Sequence, residues 1–172
     1  SVTQSEAGKT AQAALNKAAT AASSAGTTET PAGNDISYSS DTEFTETINI
    51  STLEENATSA NYTYTVAADT TSASTLKITS AGNYMLTGST NNLEITYNNE
   101  SDVVLMLDNV TIDNSSITSN NPVIEIGKKV TSAIIVINGT NSITGAGSFD
   151  NSYEDNETKE PAPIIKYKKS VC

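Results

Sequence analysis

Between Asn92 and Ile143 the chain alternates four short apolar runs with clusters of Asn, Ser, Thr, Asp and Gly. The runs are Leu93 to Tyr97, Val103 to Leu107, Val123 to Ile126 and Ala133 to Ile137. β-Branched residues crowd each run and turn formers bound it, a pattern that predicts strands. Laid on itself so that Val103 meets Ala133, the stretch also aligns Leu107 with Ile137 and Asp108-Asn109 with Asn138-Gly139. A second match lays Pro122-Val123-Ile124-Glu125-Ile126 on Pro163-Ile164-Ile165-Lys166-Tyr167 and carries Lys128 onto Lys169. Strand-turn units that recur at irregular spacing predict an all-β parallel solenoid with loops of variable length on one side.

The flanks differ from this stretch. From Ile36 to Val66 apolar and polar residues alternate, with Phe44, Ile48 and Ile50, then Tyr62, Tyr64 and Val66, as half-buried strands do. A further strand is expected at Leu76 to Ile78, and another after the Ala81-Gly82-Asn83 turn, with Tyr84 and Leu86 on one face and Gly88 closing it. Ser1 to Gly33 is rich in Ala, Ser and Thr, and Ala7 to Ala22 holds helix formers with one large apolar residue, Leu15. A helix there has little to bury. Residues 1–34 are therefore expected to be a disordered or weakly helical tether, with a cap on the first repeat as the alternative, and residues 35–172 the domain.

Composition narrows the partners. The formal charge of −11 and a pI near 4.2 argue against nucleic acid, which requires a basic footprint. All nine basic residues are lysines; there is no His, Arg or Trp. Ser/His triads, Cys/His dyads and an arginine base are thereby excluded. The single cysteine, Cys172, allows no intrachain disulfide. No apolar run is long enough to span a membrane, so membrane insertion is not expected. A cysteine-poor, acidic chain rich in Thr and Asn is common among exported bacterial proteins, which suggests an extracellular or cell-surface location.

The succession AGNYMLTG (81–88), NNLEITY (91–97), DVVLMLDNVTI (102–112), NNPVIEIGKKV (120–130), IIVINGTNSITGAGS (134–148) and APIIKYKKSV (162–171) resembles the carbohydrate-binding domain-containing protein family. The resemblance covers about residues 75–171. It implies a bacterial extracellular protein, a right-handed parallel β-helix, binding to cellulose-like and acidic, pectin-type polysaccharide, and bound calcium. Members of that family resemble longer helices with further rungs after the segment matching Pro163 to Val171. This chain stops one strand into that rung, so it is expected to be a fragment or to have its open end covered. An open end with unpaired backbone groups also raises head-to-tail self-association, which would make the chain a subunit of an extracellular fibre or biofilm matrix.

Calcium takes six to eight oxygens, and the acidic insert Ser148 to Glu157 supplies Asp150, Glu154 and Asp155 as candidate ligands, with Asp108 and Asp113 as second candidates. Asp108 and Asp113 also stand in turn contexts, where an aspartate bonds nearby backbone N–H groups. Calcium would let an acidic protein bridge to an anionic sugar. Tyr153, Lys128 and Lys129 are candidate sugar contacts; Tyr97 and Tyr167 stand at apolar strand positions where core packing competes. A lysine base acting with calcium would make the chain a polysaccharide lyase, a second alternative to the non-catalytic module. Lys166 falls over Glu125, a cross-strand pair of opposite charge. The eight Asn-X-Ser/Thr sequons are formal glycan acceptors. Several also suit an asparagine ladder at stacked turns, such as Asn109 near Gly139 and Asn120-Asn121.

Overall fold

The computed structural model describes residues 38–147 and 163–168. The expected 1–34 tether and the whole acidic insert, Ser148 to Glu157, lie outside them. Ten strands form among the described residues: β1 (Glu46–Asn49), β2 (Tyr62–Thr65), β3 (Thr75–Ile78), β4 (Tyr84–Thr90), β5 (Glu94–Tyr97), β6 (Val103–Asp113), β7 (Ile124–Ile126), β8 (Ala133–Asn138), β9 (Ser142–Thr144) and β10 (Ile165–Tyr167). One sheet runs β1-β4-β6-β8, with β9 also on β6; the other runs β10-β7-β5-β3-β2.

The right-handed parallel β-helix expected from the repeats is therefore corrected. The strands make two five-stranded sheets over a shared core, the second of mixed orientation through its antiparallel β2–β3 pair, an arrangement closer to a β-sandwich than to a solenoid. The mixed orientation has a local cause. β2 and β3 are joined by a short connection whose turn is tied by Asp69, which accepts from the backbone N–H of Thr71 and Ser72 at 2.9 and 2.8 Å. A connection of that kind suits antiparallel neighbours, and Tyr62 pairs with Ile78 and Thr65 with Thr75 in that sense. The other ladders are parallel, and two of them, β6–β8 and β7–β10, lie at the registers carried by the sequence matches. Val103 pairs with Ala133 and Leu107 with Ile137, while Ile165 pairs with Ile124 and Lys166 with Glu125.

Alternation along each strand sends one set of side chains inward. Ile48, Leu86 and Leu107 make one inward row of the first sheet; Ile78, Tyr97 and Ile126 make one of the second, and all six belong to a single buried cluster. Each such aliphatic side chain, fully removed from water, contributes about 1.5–3 kcal/mol.

Corners between strands depend on asparagine and glycine. Gly88, Asn109 and Gly139 all have positive φ (94°, 53° and 67°), at neighbouring levels of β4, β6 and the end of β8. Asn109 is the extra residue where the β4–β6 register shifts, and asparagine tolerates the left-handed conformation better than other non-glycine residues. Its Oδ1 accepts from the N–H of Thr140 at 3.0 Å, so the corner of one strand holds the next. Buried Asn114 does the same inside, accepting from Leu93 N–H and donating to Leu93 C=O. Asn83, Asn92 and Asn98 bond backbone N–H groups of neighbouring segments in like fashion.

Candidate functional site

The second-choice calcium residues lie at separate turns. Asp108 Oδ1 accepts from the side-chain amides of Asn109 and Asn138, each at 2.9 Å. Asp113 accepts from Ser115 N–H at 3.0 Å, and bonding from the Ser115 side chain and backbone holds its carboxyl below the usual range. Asp108 and Asp113 stand five positions apart along β6, on either side of the Asn109 bulge. Among the described residues no three acidic, His or Cys side chains come together as a metal site. Asp113 thus closes a turn through a backbone N–H, as its sequence context allows, whereas Asp108 is bonded by the side-chain amides of neighbouring asparagines. Asp150, Tyr153, Glu154 and Asp155 lie outside the described residues.

Other candidates are placed as follows. Lys128 and Lys129 are exposed just beyond β7, where Lys129 N–H donates to Asn98 Oδ1 at 3.0 Å. Tyr97 is a core residue, not a stacking platform. It is 1% exposed, its ring centroid is 6.2 Å from that of Tyr84, and its hydroxyl meets Ser101 Oγ at 2.7 Å. Tyr167 is partly exposed and its hydroxyl donates to Val130 C=O at 2.7 Å. The opposite-charge pair expected over Glu125 also shifts. Lys166 is its register partner, but the 2.9 Å ion pair is made by Lys168. Glu94, almost fully buried, accepts from the Ser119 hydroxyl and from Asn121 Nδ2, so both its oxygens are engaged.

A feature absent from those candidates emerges on the outward face of the second sheet. The registers align Thr63, Lys77, Thr96, Glu125 and Lys166 at one level, one residue from each strand. Thr63, Lys77 and Lys166 are exposed, and Thr96 and Glu125 half-exposed. All five lysines of the described residues (Lys77, Lys128, Lys129, Lys166 and Lys168) lie on this sheet's strands or on the segments leaving β7 and β10. The first sheet's corresponding row is apolar at Met85, Met106 and Val136. The signal was present in the sequence: each member of the polar row is the middle residue of a short strand whose neighbours point inward.

A two-sheet scaffold with one continuous polar, lysine-bearing face has the form of a binding module. The family model for carbohydrate-binding domain-containing proteins matches residues 72–166, more than half of the chain, and the chain belongs to that family. No curated protein and no solved structure matches it. No helix among the described residues is long and apolar enough to cross a membrane.

Proposed function

We propose that the chain is an extracellular, non-catalytic carbohydrate-binding or adhesion module for acidic or plant-type polysaccharide. The observation that carries this reading is the family match from residue 72 to residue 166, which begins just before β3 and ends within β10. It therefore spans four of the five strands of the polar face. Four carboxylates among the described residues support binding over catalysis at their own positions. Asp108, Asp113 and Glu94 are taken up by hydrogen bonds to neighbouring amides and hydroxyls, and Glu125 by Lys168. Any calcium dependence falls, in this reading, to Asp150, Glu154 and Asp155.

Affinity electrophoresis through gels containing polygalacturonate, and pull-down on cellulose, test the proposal with calcium and with a chelator. Retention without new reducing ends or unsaturated uronate is the expected result. Unsaturated product would assign a lyase instead, and passage through every polysaccharide unretarded would remove the binding reading. A chelator that leaves retention intact would remove the calcium requirement alone.

Self-association is the second reading. The last strands of the two sheets leave Ile137, Ile165 and Tyr167 exposed, and an uncovered strand edge is a template for another chain. Light scattering across a concentration series measures it directly; a constant monomer mass would exclude it.

A further inference from the structure

We propose that the outward face of the second sheet is the glycan platform, with Lys77 and Lys166 binding carboxylates of an anionic polysaccharide chain laid across the strands. This rests on the carbohydrate-binding reading above and locates the site within it.

Geometry supplies the first argument. Thr63, Lys77, Thr96, Glu125 and Lys166 form a straight row perpendicular to the strands. Four inter-strand steps give the row a length of about 19 Å, enough to follow several sugars of a linear polymer. Every position offers a hydroxyl, an ammonium or a carboxylate, and the row holds no aromatic ring. Recognition here proceeds by hydrogen bonds and charge, not by stacking on a ring face.

Charge supplies the second. A chain of net −11 repels an anionic polymer over most of its surface, yet the described lysines lie on this sheet's strands or on the segments leaving β7 and β10. Lysine is a compact, strongly hydrated point charge on a flexible stem, suited to single carboxylates at an exposed surface. The one carboxylate in the row, Glu125, is offset by Lys168 at 2.9 Å, which lowers the repulsion an anionic sugar would meet there. Lys77 and Lys166 stand on either side of Glu125, three ladder steps apart. Thr96, between Lys77 and Glu125, presents a hydroxyl toward the sugar hydroxyls.

Such a site is direct: its cations are the protein's own, and exposed charges of this kind weaken as salt rises, because screening acts over about 8 Å at physiological ionic strength. The test uses the full chain and compares wild type with K77A/K166A, K77E/K166E and, on the first sheet's outward face, T47E. The three substituted positions, Lys77, Lys166 and Thr47, are exposed, so thermal unfolding is expected to stay at the wild-type midpoint. Affinity for polygalacturonate is measured by titration calorimetry in chelator, at low and raised salt. K77A/K166A is expected to weaken binding about tenfold, since each exposed ionic contact contributes up to about 1 kcal/mol. K77E/K166E is expected to abolish binding, T47E to leave it unchanged, and raised salt to weaken the wild type. Wild-type affinity retained by both lysine pairs would overturn this site while leaving the carbohydrate-binding reading standing. A wild type that binds neither polygalacturonate nor cellulose would overturn both.

Discussion

One inward row of the first sheet passes through Ile48, Leu86, Leu107 and Ile137, and its two ends differ sharply in burial. Ile48 is 2% exposed, Ile137 60%. Both are isoleucines at inward positions of an end strand, so neither hydrophobicity nor alternation separates them. What differs is the cover. Beside β1, the short 3-10 turn Ile50–Thr52 buries Ile50, Leu53 packs on the core, and Glu46 accepts from Ser59 Oγ and Asn61 Nδ2 at 3.1 and 2.8 Å. The second sheet repeats the asymmetry, with Tyr62 half-buried at its β2 end and Tyr167 42% exposed at its β10 end. Position in a strand decides which way a side chain points; the neighbouring segment decides whether that direction is dry.

The largest effect should come from the middle of the same row. Leu107→Ala removes a side chain 1% exposed between Leu86 and Ile137, and a buried leucine truncated to alanine costs about 2–5 kcal/mol. Urea unfolding measures it, and a loss below about 1 kcal/mol would mean that the rows do not pack as described. Next in size is Asn114→Ala. Its side chain satisfies both Leu93 N–H and Leu93 C=O in the interior, at 3.0 and 2.8 Å. Leaving both unpaired is expected to cost about 1–3 kcal/mol, and faster amide exchange at Leu93 would identify the cause.

These two sites also show how far the sequence could be read. Leu107 was legible as a core residue because its run is apolar and its match with Ile137 is the observed register. The β7–β10 register was legible in the same way, from the match of Ile124 with Ile165. The sense of β2 was not legible, because Tyr62-Thr63-Tyr64-Thr65 alternates identically in either direction, and only the connection closed by Asp69 selects the antiparallel hairpin. Asn114 was legible only as one of the eight sequons; its burial depends on Leu93, 21 positions away. The candidate site divides in the same manner. The pairing of Lys166 with Glu125 was visible as a register, whereas the ion pair to Lys168 depends on side-chain reach. The lysine-bearing face needed the strand order of the whole second sheet, which no single run contains.

Gly88→Ala tests a corner beside the covered end. Gly88 has φ of +94°, and a methyl group there would lie 2.3 Å from Asn49 Oδ1 and 2.4 Å from Ser51 Oγ. Strain of this kind is worth about 1–3 kcal/mol, and loss of the Asn49 bond to Ser51 N–H should accompany it. A variant as stable as wild type would show that the corner relaxes freely. At alkaline pH Tyr84 offers a subtler probe of the same end. Burial first, then Tyr97 and Glu46, push its phenol up to about 12 from 10.0. The folded state thus holds that proton more tightly than the unfolded chain. The resulting stability is intact below pH 10 and is lost as pH rises towards 12. Unfolding followed across that window should steepen for wild type and flatten for Tyr84→Phe; parallel curves would place Tyr84 in water.

Ile137→Ala should have the smallest effect, although it makes the same kind of truncation as Leu107→Ala one ladder step away. With 60% of Ile137 already in water, little transfer free energy remains to lose and no cavity forms, so a change below about 1 kcal/mol is expected. The pair of variants isolates cover from residue type, because both truncate an inward aliphatic side chain of the same ladder. Equal losses would break the comparison in an informative way: the β8 end would then be occupied in solution. If the Ile137→Ala loss also grew with protein concentration, the occupant would be a second copy of the chain, since only an intermolecular cover follows mass action.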